Sequence, residues 1–261
     1  MKRFYFAILF FSVIQVHAQN SNKWSAQFQF GADFMSRYIW RGLNLGGPGP
    51  SIQPNVGLKF GNDNNSFLVG TWGAYTFGPT SNQEIDLFLS YSFRSIFTVT
   101  VTDYFFPELY NDKRNEYFYY REDSTGHVFE AALSFNGTKK IPVTFLIATN
   151  FYGNDACRFE MINDTISHKT GLQYSTYLEL GYKTTIKGID FNVFIGGTIT
   201  NPDESNGESG YYGNTKPGFT NIGIKVSKAI PVTSKYSIPI QASLIANPMQ
   251  NKLYLVFGIS F

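Results

Sequence analysis

The sequence contains one cysteine, Cys157, and three histidines among 261 residues. No internal disulfide can form from a single cysteine, even in an oxidising compartment. Beyond residue 18 there is no apolar run of eighteen residues, which excludes a transmembrane helix in that part of the sequence. The sequence also lacks a Gly-rich turn between a strand and a helix and has no Cys-His metal spacing, so neither a cofactor nor a metal is expected.

The amino-terminal residues are typical of a secretory signal peptide. Lys2 and Arg3 precede an apolar run over residues 4–16, and Ala18 offers a small residue before Gln19. The run is too short to cross a hydrocarbon core of about 30 Å comfortably as a helix. We predict a signal peptide over residues 1–18 and one domain over residues 19–261, with an uncleaved anchor as the alternative.

Charge is scarce and balanced. Removal of Lys2 and Arg3 leaves 19 of the 21 basic residues against 19 acidic ones, so the mature chain has no net charge and no nucleic-acid partner is expected. Aromatic residues make up 18% of the sequence and charged residues only 15%, yet the mean hydropathy is −0.15. Apolar residues are therefore abundant but never continuous, and a chain that crosses lipid without helices must form a closed barrel.

An apolar and polar alternation of period two recurs in segments of about ten residues, the length that a tilted strand needs to cross a bilayer. The last segment is strict: Leu253, Leu255, Phe257, Ile259 and Phe261 alternate with mostly small or polar residues. The predicted segments are residues 24–34, 52–60, 67–77, 84–93, 96–105, 128–136, 143–151, 173–184, 189–200, 219–228, 237–246 and 253–261. They predict an all-β, antiparallel up-and-down transmembrane barrel of twelve strands, with ten or fourteen as alternatives and a secreted β-sandwich as the soluble alternative.

The connections alternate between short and long, as in bacterial outer-membrane barrels, where the short turns are periplasmic. The longest are residues 107–127, 152–172 and 201–218, and they are rich in Asn, Asp, Gly, Ser and Tyr. An even number of strands places both termini in the periplasm. The sequence therefore predicts export and insertion into the bacterial outer membrane, with outer-membrane lipid and the barrel-assembly machinery as partners and Phe261 as the assembly signal.

Four stretches of the first third resemble the TorF family of porins. They are Arg37-Tyr38-Ile39-Trp40-Arg41-Gly42, Pro50-Ser51-Ile52-Gln53-Pro54, Gly70-Thr71-Trp72-Gly73 and Glu84-Ile85-Asp86-Leu87. Family members combine a turn that ends in Arg-Gly with a Gly-Trp strand and a Glu-x-Asp strand. The resemblance implies an outer-membrane barrel and a porin-like activity, but it does not indicate the solute.

Strand parity indicates which charges face the lumen, where they are cheaper than on the lipid face. Among the inward charges, the predicted pore-lining residues are Arg37, Arg41, Glu84, Asp86, Glu179 and Lys183. Parity also predicts that Tyr38 and Trp40 face lipid near the outer interface. The hypothesis is passive diffusion of small hydrophilic solutes through a weakly selective pore, and the alternative is a barrel that these charges merely fill.

Two further functions remain open. The loops could bind or adhere, since residues 107–126 combine five aromatic residues with mixed charge, or this loop could fold inward and plug the lumen. A lipid-modifying enzyme would need a general base, and beyond the signal peptide the sequence offers only His127 and His168. We predict no catalytic residue and no enzyme, and we expect His127 to be a solvated loop residue with Glu122 or Asp123 beside it.

Overall fold

The computed structural model describes residues 23–78, 82–107, 112–122, 124–162, 166–234 and 236–261. The predicted signal peptide, residues 1–18, lies outside these ranges. None of the helices among the described residues is long and apolar enough to span a bilayer.

Twelve antiparallel strands form one closed barrel in which each strand pairs with its neighbours in chain order and the first pairs with the last. The strands are β1 (Ser25–Met35), β2 (Ser51–Gly61), β3 (Asn65–Thr76), β4 (Gln83–Phe93), β5 (Phe97–Phe105), β6 (His127–Phe135), β7 (Val143–Gly153), β8 (Thr176–Ile186), β9 (Ile189–Thr198), β10 (Gly218–Pro231), β11 (Ser237–Asn247) and β12 (Lys252–Ser260). The predicted fold class and the predicted twelve strands are confirmed.

The alternation of residue types decides which side of the wall each side chain faces. Phe28 of β1 is 59% exposed and Leu255 of β12 is 55% exposed on the outer surface, whereas Ser51 and Gln53 of β2 are buried on the inner one. An outer belt of exposed apolar side chains around a polar interior is what a barrel in lipid requires. The architecture is that of an outer-membrane barrel.

The connections confirm the predicted alternation of lengths. Two residues join β8 to β9, while the next connection covers residues 199–217. Lys187 and Gly188 make the short turn with φ values of 51° and 73°, which is the left-handed geometry that matches strand twist in a two-residue hairpin. The short connections mark the periplasmic end of the barrel and the long ones its extracellular end.

Two small hairpins lie within the connections: one where strand parity is predicted to continue through Trp40, and one within the loop predicted at residues 152–172. Ile39–Trp40 pairs with Leu43–Asn44, and Cys157–Ile162 pairs with Ile166–Leu172. Neither hairpin belongs to the barrel wall. Neither therefore needs the regular lipid-facing pattern by which the wall strands are recognised in the sequence.

The seam between β1 and β12 is the shortest contact in the wall. Only Asp33, Phe34 and Met35 of β1 pair in register with β12, whereas eleven residues of β1 pair with β2. Beyond β12, the backbone N–H of Phe261 donates to the carbonyl of Ala32 over 2.9 Å, and the N–H of Ala32 donates back over 3.3 Å. The position of Phe261 is thereby fixed at the seam, with its side chain exposed on the outer face.

Candidate functional site

The connection between β1 and β2, residues 36–50, folds into the barrel, and we call it the plug. Tyr38 is 4% exposed, and its hydroxyl donates to Oε2 of Glu84 over 2.5 Å. Trp40 is half-buried among aromatic rings of the lumen. The prediction that Tyr38 and Trp40 face lipid is wrong, because strand parity ends where the chain leaves the wall after Met35.

A left-handed turn holds the plug against the wall at β10 and β11. Arg41 and Gly42 have φ values of 48° and 81°. A Cβ atom at Gly42 would lie 1.8 Å from the carbonyl oxygen of Thr220, so only glycine allows this approach. The side-chain amide of Asn247 donates to the carbonyl of Gly42 over 3.1 Å and fastens the turn to the end of β11.

The guanidinium of Arg41 makes the main polar contact between the plug and the wall. It binds both carboxylate oxygens of Glu130, with 2.8 Å between Nη2 and Oε1, and it donates to the hydroxyl of Tyr212 over 2.9 Å. The hydroxyl of Tyr104 donates to the same carboxylate over 3.1 Å. The Arg41 and Glu130 side chains are 10% and 2% exposed, so this is a buried pair with two-point geometry and added hydrogen bonds.

Aromatic rings enclose the same guanidinium. Its central carbon lies 4.4 Å from the ring centre of Trp40 and 4.7 Å from that of Tyr177. Tyr212 stacks on Trp40 at 5.9 Å between ring centres, and Tyr177 and Tyr212 are fully buried. Because Tyr212 comes from the connection at residues 199–217, two connections together fill the extracellular half of the lumen.

Glu84 and Asp86 form an acidic pair on the inner face of β4. They are 2% and 6% exposed, and they lie two residues apart on one strand. Among the described residues, no cation forms an ion pair with either carboxylate, and Oδ1 of Asp86 is buried without a hydrogen-bond partner. A buried acceptor of this kind is uncommon in a folded protein and calls for a donor.

Glu179 and Lys183 of β8 occupy different levels of the lumen. Oε2 of Glu179 accepts from the hydroxyl of Tyr177 over 2.6 Å and from the amide of Asn221 over 2.9 Å. Lys183 is exposed and lies on the same inner face, closer to the periplasmic end of the strand. Glu179 therefore belongs to the filled half of the lumen and Lys183 to the open half.

A cavity of about 580 Å³ lies beneath the plug. Its lining includes Asp33, Arg37 and Lys225, together with Asp86 and Trp72. A second space of about 970 Å³ adjoins it at the periplasmic end and is also lined by Lys225. The lumen is thus hollow from the periplasmic mouth up to the plug.

The structure brings Arg37, Arg41, Glu84 and Asp86 to the plug or to the cavity beneath it. Glu179 binds Tyr177, whose ring lies against Arg41, while Lys183 lies apart at the mouth. Their role in conduction stays a prediction. The sequence does not reveal the partners of these side chains, above all Glu130 as the counter-ion of Arg41 and the rings of Tyr177 and Tyr212 beside it. Glu130 carries the inward parity of its strand, but nothing in the sequence pairs it with Arg41.

His127 is fully buried, so the expectation of a solvated loop histidine is wrong. Its Nδ1 lies 2.7 Å from Oδ1 of Asp103, and its Nε2 lies 2.6 Å from the carbonyl oxygen of Tyr117. The residue opposite it on β5 is Phe105, not a serine.

Contacts with His127 and Tyr152 determine where the connection formed by residues 106–126 lies on the barrel. The ring of Tyr120 stacks on His127 at 4.3 Å between ring centres, and the hydroxyl of Tyr152 donates to the carbonyl of Tyr120. His127 shares the outward parity of its strand with Ala131 and Leu133, which are exposed on the outer wall. The described part of this connection therefore covers the rim from outside, and the residues that fill the lumen come from the plug and from the connection at residues 199–217.

An ion pair joins the two remaining long connections. Glu208 is buried, and its carboxylate accepts from Arg158 over 2.7 Å and from the backbone N–H groups of Phe159 and Asp203. Burial alone would raise the pKa of Glu208, but these hydrogen bonds and the positive charge hold it below its ordinary value. Glu208 thus ties the hairpin at residues 157–172 to the connection at residues 199–217.

No family model matches the chain, and no curated protein matches its sequence. Among solved structures, an outer membrane channel from Pseudomonas putida F1 is similar with a TM-score of 0.43 and 10% identity over 94% of this chain and 98% of that one. The beta domain of a Bordetella autotransporter is similar with a TM-score of 0.35 and 9% identity over 89% of this chain and 97% of that one. The assignment of the fold therefore rests on the strand pairing of this chain itself.

Proposed function

We propose that the protein is an outer-membrane channel for the passive diffusion of small hydrophilic solutes, and that its extracellular half is closed in this conformation. The observation that supports the proposal is the hollow lumen, which reaches from the periplasmic mouth to the plug. A barrel that serves only as a membrane anchor needs no such space. Membership of the TorF family and insertion by the barrel-assembly machinery through Phe261 are part of the same proposal.

Opening requires the plug to leave the upper lumen. The contacts that hold it include the hydrogen bond from Tyr38 to Glu84, the ion pair between Arg41 and Glu130, and the hydrogen bond from Asn247 to Gly42. None of these is covalent. Transport then depends only on the width of the passage and on its electric field, and no catalytic step is proposed.

The test is single-channel conductance of the refolded chain, residues 19–261, in a planar bilayer, with heat-modifiable gel mobility as the check of folding. We expect rare openings in the wild type. In Arg41→Gln/Glu130→Gln, which removes both charges and leaves neither partner as a lone buried ion, we expect openings roughly tenfold more frequent. Lys228→Gln, which neutralises an exposed charge on the outward side of β10, is the control and should behave as the wild type.

The alternative is a barrel that does not conduct and whose outer loops bind a ligand. The fully buried Tyr177 and Tyr212 favour it, because they fill the extracellular half of the lumen. A folded wild type and a folded double variant that both never conduct would exclude the channel and leave this alternative.

A further inference from the structure

The cavity beneath the plug carries opposite charges on opposite walls. Asp86 lies on β4, and Lys225 lies on β10, which is six strands away in a ring of twelve and therefore across the barrel. Arg37 enters from the start of the plug. Asp86 and Lys225 thus lie on opposite sides of the cavity, which Asp33 and Arg41 also line.

The acidic wall is short of positive charge. Arg41, a cation of the plug that also lines the cavity, is bound to Glu130. Glu84 accepts from the neutral hydroxyl of Tyr38 and lies close to Asp86, and Oδ1 of Asp86 has no hydrogen-bond partner among the described residues. Two carboxylates held together in a buried place repel each other and favour a cation between or beside them. Trp72 also lines the cavity and offers an aromatic face, which attracts cations as well.

The basic wall is short of negative charge. Among the described residues, neither Arg37 nor Lys225 forms an ion pair. Asp33 is near enough to Lys225 to attract it, but Lys183 is near enough to repel it. A guanidinium and an ammonium that face one cavity can bind a carboxylate together, and the planar guanidinium does so through two parallel hydrogen bonds.

We propose that this cavity is a binding site for a small zwitterionic solute. The ammonium group of the solute lies against Asp86 and Trp72, and its carboxylate lies against Arg37 and Lys225. The volume of about 580 Å³ falls within the range of small-molecule sites. The inference rests on the proposed function only in its need for a lumen that is open to water from the periplasm, since binding does not require the plug to open.

The test is isothermal titration of the refolded barrel in detergent micelles, at low salt, with glycine, β-alanine and γ-aminobutyrate as zwitterionic probes. Acetate and methylammonium are the probes with a single charge. We expect at least one zwitterion to bind about tenfold more tightly than either single ion, because it satisfies both walls at once. Equal affinity for acetate and for all three zwitterions would overturn the proposal, and so would the absence of heat with every probe.

Two variants, each of which removes one charge, test the two walls separately. Asp86→Asn should weaken the zwitterion and methylammonium about tenfold and leave acetate unchanged, whereas Arg37→Gln should weaken the zwitterion and acetate and leave methylammonium unchanged. Lys252→Gln changes the same kind of charge outside the cavity and should alter none of them. If the two wall variants lose the same probes equally, the site does not have two poles and the proposal fails.

A conductance measurement distinguishes failure of this inference from failure of the proposed function. Zwitterion binding by a folded barrel that never conducts would exclude the channel but support the site. A barrel that conducts but binds no zwitterion would exclude the site and leave the channel.

Discussion

At the scale of single residues, Gly42 shows how closely the plug is fitted to the wall. Its backbone is left-handed, and any side chain there would collide with the carbonyl of Thr220. Left-handed backbone strain and direct collision are separate costs, and the chain offers a position at which the first occurs without the second. Gly188 has a φ of 73°, with nothing within 4 Å of the place of its Cβ.

We therefore expect Gly42→Ala to displace the plug and Gly188→Ala to leave it in place, although both variants pay about 1 kcal/mol for the left-handed backbone. The measurement is the rate of proteolysis within residues 36–50 of the folded barrel. Equal rates in the two variants would mean that the collision at Thr220 is relieved without moving the plug.

The depressed pKa of Glu208 makes the contact between the two outer connections sensitive to pH. A carboxylate whose pKa is lowered by folding contributes stability that is fully present above its unfolded pKa, about 4.5, and that is lost as the pH falls through the folded pKa. We expect the protection of residues 199–217 against hydrogen exchange, relative to the intrinsic rate at each pH, to fall on acidification below about pH 4.5 and to do so less in Glu208→Gln. Asp203 also has a lowered pKa, through its hydrogen bonds from Ser205, so the loss of protection that persists in the variant measures that group.

At the scale of the elements, the wall strands can be predicted from the sequence and the structures inside the connections cannot. The segment predicted at residues 173–184 is a strand at Thr176–Ile186, and the other predicted strands agree with the observed bounds to a similar degree. Lipid on one side and a polar lumen on the other impose alternation residue by residue, so the signal is local. The hairpin at residues 157–172 has no such surroundings, and its position becomes visible only in the structure, through the contacts of Arg158 and Phe159 with Glu208.

The contacts of His127 with Asp103, Tyr117 and Tyr120 also act at the scale of the elements, because they fix a whole connection to the wall. We expect His127→Gln to speed hydrogen exchange in residues 117–125, since Asp103 would lose its hydrogen bond from the ring, at a local cost of about 1–3 kcal/mol. The barrel should remain closed, because nine residue pairs join β5 to β6.

His168→Gln is the matched control, since His168 is exposed on the hairpin at residues 157–172. Unchanged exchange in His127→Gln would show that the aromatic stacking with Tyr120 holds the connection without the hydrogen bonds.

At the scale of the whole molecule, twelve strands enclose a lumen that is partly filled by connections and in which acidic and basic side chains lie at different levels. The acidic side chains Glu84, Glu130 and Glu179 lie within four residues of the extracellular ends of their strands, whereas Lys59, Lys183 and Lys225 lie in the periplasmic halves of theirs. Strand parity predicts that all of these face inward. It cannot predict the plug, because the side-chain hydrogen bonds that hold Tyr38, Arg41 and Gly42 join residues that are 46 to 205 positions apart in the sequence.

We expect Glu84→Gln/Asp86→Asn to reduce the preference for cations over anions in open channels, because the acidic pair dominates the field at the top of the cavity. The measurement is the reversal potential across a salt gradient in a planar bilayer. Lys228→Gln, on the outward side of β10, controls for a change of charge outside the lumen. An unchanged reversal potential would remove this pair from the narrowest part of the passage.

The short seam between β1 and β12 also bears on how the protein folds. Eleven of the twelve strand pairs join consecutive strands of the wall, so their contacts close modest loops and can form in turn, hairpin by hairpin. The seam brings together Ala32 and Phe261, which are separated by nearly the whole chain, and it forms only a few backbone hydrogen bonds. Loop-closure entropy therefore places ring closure last in time, after a curved open sheet has formed. Reopening under denaturant should begin at the same place.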